Sequence, residues 1–258
     1  MLTTVDLRVY VRRRELSERE RTGMTEPIRY VGLLDTETTD LEPPPVGKTI
    51  EVAVMLFDIR HAQAVASFAS LIRCDDGNKA YEVNGIPPAM LPEARESERV
   101  WSAAKWVIEP AQVILAHNAS FDQQFTPDLG RPWVCTEEDI RWPGSQKGGR
   151  GGSLAHLALR YGLGVASAHR AMADVDTLAR ILTRLAEKGH DLEAMIRYAM
   201  RPKAMFHSLA PFEQKDVVKA HGFRWDDRGG ARGKGVWWRR MAIDDIKELP
   251  FQVKQVGQ

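Results

Sequence analysis

The run IRYVGLLD at residues 28–35 is almost wholly apolar and ends in a carboxylate, with a second acid, Glu37, two positions later. A run this short and this apolar reads as a buried strand with a functional terminus. Two β-rich runs follow, TIEVAVMLF at 49–57 and VASFASLI at 65–72, joined by a short polar link. They read as antiparallel neighbours of the first strand. After turn signals between residues 75 and 88 the pattern alternates. A helical stretch spans 98–108, short apolar runs lie at 112–116 and 132–135, and helical pattern covers 119–126 between them. Ser153 caps a helix to about residue 160, and further helices are predicted over 171–187 and 191–200. Three strands followed by alternating helix and strand make an α/β chain. It has a mixed sheet flanked by helices, and crossover connections favour parallel pairing in its later part.

The chain of 258 residues accommodates one domain of about 150–200 residues and a small appendage. Residues 1–27 are read as an N-terminal extension, 28–200 as the main domain and 201–258 as a small C-terminal α+β module. No run of about 18 apolar residues exists, so no membrane span is expected. The N-terminus lacks a secretory pattern, and Cys74 and Cys135 make neither a disulfide framework nor a zinc cluster, so a reducing cytoplasm is expected. Gly144–Gly152 reads as a flexible loop. The Gly47-Lys48-Thr49 tail of a P-loop is rejected, because Glu42 stands where glycine is required and prolines fill the cradle.

The net charge of +1 conceals an uneven distribution. Residues 201–240 hold ten basic and four acidic side chains, so the rest of the chain is net acidic. Such a split suggests a polyanion-facing module beside an acid-rich site. Trp225, Trp237 and Trp238 lie among those cations. They are read either as base-stacking surfaces or as a very small apolar core.

The acid-rich site is built from three places. Alternation along a strand puts Asp35 and Glu37 on one face. Asp122 follows a predicted strand and enters a helix. Asp174 lies on the helix side that Leu178 and Ile181 bury, where a carboxylate is costly unless paired or metal-bound. Singly, each is an ordinary strand-end or helix-start acid. Jointly they would repel one another, and divalent cations with hard oxygen preferences relieve that. His169, five positions before Asp174, can approach the same site from a loop. His117 and Asn118 either cap the turn before Asp122 or touch a ligand, with a structural part favoured for His117.

The segments LLDTETTDL, ILAHNASFD and HRAMADVDTLARIL resemble, in order and spacing, the DnaQ-like DEDDh 3′→5′ exonucleases over about residues 28–190. VNGIPPAML and WVCT are similar to the branch that includes exonuclease X. The resemblance implies a ribonuclease H-like fold with a five-stranded mixed sheet. It implies that Asp35, Glu37 and Asp174 bind metal directly, that Asp122 holds a second ion, and that His169 is the general base. Thr38 and Leu41 would then belong to the pocket for the 3′-terminal nucleotide.

The expected function is a two-metal (Mg²⁺ or Mn²⁺) 3′→5′ exonuclease that releases 5′-mononucleotides from single-stranded or frayed DNA ends. The alternatives are an exoribonuclease, or a nucleic-acid-binding subunit that proofreads beside a DNA polymerase in replication or repair. Nucleic acid is the expected partner, and homodimerisation is left open. Deleting residues 203–258 is expected to flatten the salt dependence of DNA binding.

Overall fold

The computed structural model describes residues 26–144, 152–165, 169–227 and 235–256. Residues 1–25 of the extension and 145–151 of the glycine-rich loop lie outside them. Strands β1 (Tyr30–Thr38), β2 (Thr49–Asp58), β3 (Gln63–Leu71), β4 (Val113–Ala116) and β5 (Trp133–Cys135) form one sheet in the order β3-β2-β1-β4-β5. The pairings of β1 with β2 and of β2 with β3 are antiparallel, and those of β1 with β4 and β4 with β5 are parallel. This is the five-stranded mixed sheet that the family resemblance implied, and it bears out the mixed sheet read from the strand pattern.

Helix α1 (Ser97–Val107) covers one face, while α3 (Leu154–Arg160), α4 (Ala171–Glu187) and α5 (Leu192–Ala199) cover the other. The short α2 (Ala119–Phe125) follows β4. Residues of β1 alternate between two cores: Val31 and Leu33 pack with Leu178 and Leu182 of α4, and Leu34 packs with Val100 and Ala104 of α1. Asp35 and Glu37 continue the odd-numbered face, which aims them at α4. They lie within β1, which runs on to Thr38, and not at its end as the sequence suggested. A helical turn at Tyr81–Asn84 stands where only turn signals were read, and Asn84 Nδ2 donates to the Thr38 carbonyl at 3.2 Å, fixing the end of β1.

The proline-rich link between β1 and β2 is drawn closed. Thr39 N–H donates to the Lys48 carbonyl at 2.9 Å, and Gly47 packs so tightly that a Cβ there would stand 2.1 Å from the Glu42 carbonyl oxygen. Backbone cannot yield as a side-chain tip can. Gly47→Ala is therefore expected to destabilise the fold by about 2 kcal/mol, read as a lowered thermal midpoint.

The C-terminal part forms a second, antiparallel sheet of β6 (Lys203–Ser208), β7 (Arg224–Asp226), β8 (Val236–Ala242) and β9 (Val253–Val256), in the order β7-β8-β6-β9, with the short helix α6 (Lys215–Ala220). Its core is Phe206, Val218, Phe223, Met241 and Val253, with Trp237 packed against it. A core made of tryptophans is thereby corrected: Trp225 is 48% exposed and meets Trp237 edge-on at 5.5 Å. Phe206 of β6, Val218 of α6, Phe223 before β7, Met241 of β8 and Val253 of β9, which alternation signals had not flagged, supply the apolar volume instead.

The apolar clusters of the two sheets share no residue. Charged groups bridge them. Asp139, after β5, accepts from Arg240 at 2.8 Å and faces Lys203 at 3.3 Å. Asp245 accepts from Arg141 and from the Tyr198 hydroxyl, both at 2.7 Å. Arg224 pairs with Glu138 at 3.0 Å. Several cations of the basic segment are thus engaged by the protein's own carboxylates.

Candidate active site

Asp35, Glu37 and Asp174 each place a carboxylate oxygen within 4.8 Å of the others'. Strand β1 supplies the first two on one face, and α4 delivers the third from across the layer. Asp122 lies outside that set of oxygens and is held beside it. Its Oδ1 accepts from the backbone N–H of Thr36 at 3.0 Å and from the Thr36 hydroxyl at 2.9 Å. Thr36, buried on the opposite face of β1 from its acidic neighbours, therefore orients the fourth acid.

Burial and mutual repulsion hold these groups away from their ordinary ionisation. Burial raises the Asp35 pKa well above the usual carboxylate range, and Asp122, Asp174 and Glu37 add to it. Glu37 is pushed up to about 8, chiefly by burial and then by Asp174 and Glu51. Asp122 rises to about 7 through burial, against the opposing hydrogen bonds from Thr36. Asp174 is raised by burial and eased by the His169 N–H. Four carboxylates that resist ionising together are a hard-oxygen donor set lacking positive charge, so the residues present fit divalent cations.

A fifth acid, which sequence reasoning passed over, completes the geometry. Glu51 of β2 lies directly opposite Glu37 in the β1–β2 register and is buried. It accepts a bidentate pair from Arg170, at 2.7 and 3.0 Å, and the N–H of Ala171 at 3.1 Å. Arg170 occupies the position before the first residue of α4 and offers no side-chain cap, so Glu51 satisfies the helix start in its place. The signal was present in TIEVAVMLF: an acid inside an otherwise apolar strand needs a partner.

The Arg170 anchor fixes the residue before it. His169 has φ = 63°, in the left-handed region, and its N–H donates to Asp174 Oδ2 at 3.2 Å. Its side chain is exposed and stands outside the carboxylate oxygen cluster. The structure thus gathers Asp35, Glu37 and Asp174, sets Asp122 at their side, and joins His169 to them through its backbone.

The other candidates lie as follows. His117 has both ring nitrogens engaged within the fold, Nδ1 with the Thr136 hydroxyl at 3.0 Å and Nε2 with the Gly152 carbonyl at 2.7 Å, a structural arrangement. Asn118 precedes α2 with φ = 73°, and its Oδ1 accepts from Ser120 at 3.3 Å. The Thr38 hydroxyl donates to the Asp40 carbonyl at 2.8 Å, while Leu41 is 82% exposed beyond it. Trp225, Trp237 and Trp238 all belong to the second sheet.

Residues 33–128 match the family described as Exonuclease, and residues 204–256 match a domain of unknown function, DUF8626. The chain is 31% identical over 166 residues to the PolC-type DNA polymerase III of Thermotoga maritima, an alignment covering 60% of this chain and 12% of the polymerase. It is 29% identical over 119 residues to exodeoxyribonuclease 10 of Escherichia coli, covering 43% of this chain and 48% of that enzyme. The chain therefore spans half or less of the length of the curated relatives it matches. The fold is similar to the nuclease domain of 3′hExo, described as a DEDDh family member bound to rAMP. The TM-score is 0.50, with 17% identity over 63% of this chain and 94% of that one.

Proposed function

We propose that this chain, whose residues 33–128 match the Exonuclease family, is a DnaQ-like, metal-dependent 3′→5′ exonuclease that removes 5′-mononucleotides from DNA ends. The observation that carries the reading is the convergence of Asp35, Glu37 and Asp174 oxygens within 4.8 Å, with Asp122 beside them. Asp35, Glu37 and Asp174 would hold one divalent cation, Mg²⁺ or Mn²⁺, and Asp35 and Asp122 a second. Bound there, such ions supply Lewis-acid stabilisation to the charge that develops in phosphoryl transfer.

In this reading the chain's own residues do the remainder. His169 takes the proton of the attacking water as general base, from a loop pinned at its N–H by Asp174 and at the next residue by Glu51. Thr36 keeps Asp122 turned inward. Thr38 and Leu41 line the pocket for the terminal nucleotide, and the exposure of Leu41 leaves an apolar surface for a base. His117 and Asn118 shape the turn behind that nucleotide.

The test is degradation of end-labelled single-stranded DNA with magnesium, beside Asp35→Ala and beside a matched RNA. A ladder shrinking from the 3′ end, absent in the variant and weaker on RNA, is the expected result. Equal or faster RNA degradation would move the substrate to RNA, and binding without cleavage of either strand would favour a non-catalytic subunit. The polymerase and exodeoxyribonuclease relatives favour DNA as substrate. Work beside a replication or repair polymerase, or as a homodimer, belongs to the same proposal and is read by co-purification and by solution mass. Among the described residues no helix is long and apolar enough to cross a membrane. A cytoplasmic location remains part of the proposal.

Metal binding also has a pH signature. Glu37 titrates near 8 in the metal-free fold against an ordinary value of 4.5. Between those values the folded chain holds more protons than the unfolded one, so stability falls as pH rises through that window. Cations bind the charged forms and reverse the loss. Saturating Mg²⁺ is expected to raise the melting midpoint by several degrees at pH 8 and little at pH 5. An equal gain at both would contradict binding at these carboxylates.

A further inference from the structure

A cavity of about 240 Å³ opens between the two sheets, lined by residues 138–142 after β5, by Tyr198 and Arg201, and by Trp238 and Arg239 of β8. Most cations around it are already paired: Arg141 and Arg201 with Asp245, Lys203 and Arg240 with Asp139, Arg224 with Glu138. Arg239 differs. Among the described residues its one hydrogen bond is from Nη1 to the backbone carbonyl of His221, and no carboxylate pairs with it. Alternation along β8 places it on the side of Trp237 and Met241, which pack in the module's apolar cluster. A guanidinium on an apolar face without a counter-ion is costly. Burial and the nearby charge of Arg141 push its pKa down, outweighing Asp245 and Glu248, which act on it without pairing with it.

The cavity's position says where such an anion comes from. β1, β4 and β5 are parallel, so their carboxyl ends share one edge of the sheet. The acid cluster arises at β1 on that edge, and residues 138–142 leave the same edge at β5. The two strands stand two spacings apart, on the order of 10 Å. Ligands of α/β sheets sit along this edge.

We propose that the cavity binds a phosphate of a single-stranded nucleic acid upstream of the 3′ end, with Arg239 as its principal ligand and Trp238 as a stacking surface for the adjoining base. The proposal rests on the nucleic-acid reading of the acid cluster. It goes beyond a general basic attraction, because most neighbouring cations are already neutralised. Arg fits a phosphate through two parallel N–H donors, and one tryptophan face accepts any base.

The test is direct binding of fluorescent single-stranded DNA by the full chain in an Asp35→Asn background, so that no cleavage is needed. Arg239→Gln is expected to weaken a long strand about tenfold and to reduce the slope of log affinity against log salt by about 0.7. Affinity for a dinucleotide, too short to span both places, should stay within twofold, and Arg239→Lys should restore the slope. A loss of equal size at both lengths, or no loss at either, would overturn the proposal. If inorganic phosphate or a free mononucleotide loses binding while the long strand keeps it, the site belongs to a free anion and the proposal also fails. Should Arg239→Gln melt early, Trp238→Leu removes no charge and must show the same length dependence. These readings stand even where the native chain cleaves nothing, so failure of the exonuclease reading and failure of this one are separable.

Discussion

Asp35→Asn is expected to abolish metal-dependent hydrolysis and, at the same time, to stabilise the metal-free protein. Asp35 is the most crowded of the carboxylates. It is half-buried on β1 and faces charge from Asp122, Asp174, Glu37 and Glu51. The amide keeps the shape, removes the repelled charge and removes a metal ligand. Turnover should fall by about a thousandfold or more, equivalent to roughly 4 kcal/mol of barrier. The metal-free melting midpoint at pH 8 should rise by a few degrees, and the further gain on adding Mg²⁺ should shrink. A variant that melts lower than the parent without metal would show that repulsion is not what dominates this cluster. One that retains a tenth of the activity would remove Asp35 from the metal site.

Arg170→Ala should act in the opposite sense. Glu51 is buried, sits opposite Glu37, and has its charge balanced by the Arg170 fork. Without Arg170 a buried carboxylate is left among other acids, a change that costs about 3–5 kcal/mol when one partner of a buried pair is deleted. Arg170 is 45% exposed in its side chain, so the low end, about 3 kcal/mol, applies. The melting midpoint should drop by roughly 6–12 °C. Because Arg170 adjoins His169, the surviving folded protein should also turn over more slowly below its melting range. The double variant Arg170→Ala with Glu51→Gln should recover most of the stability but not the rate. Recovery of both would make the pair purely structural.

The sheet was legible because its strands differ in kind. β1 and β2 are apolar on both faces, as strands covered by helices must be, and the short runs before residues 117 and 136 end where the chain turns. Helix α4 was legible to its ends, since Leu178, Ile181, Leu182 and Leu185 repeat on one face. The acid cluster could be assembled because each carboxylate marks an otherwise apolar element. Other parts depended on pairing between distant residues. Glu51 is meaningful only with Arg170, 119 positions away, and periodicity carries no such information. Strands β6 and β9 are half-exposed, short and far apart in sequence, and their only strong signal is their mutual hydrogen bonding. The basic segment illustrates the same limit: composition counts its ten cations but does not reveal that Asp139, Glu138 and Asp245 engage four of them.

The charged bridge between the sheets responds to heat unlike either core. Asp139 and Asp245 have side chains only 5% and 7% exposed, and each answers to at least two cations. Dehydrating such ions becomes less unfavourable as temperature rises, whereas apolar attraction per unit area levels off. Warming therefore tightens the union of the two halves relative to their interiors.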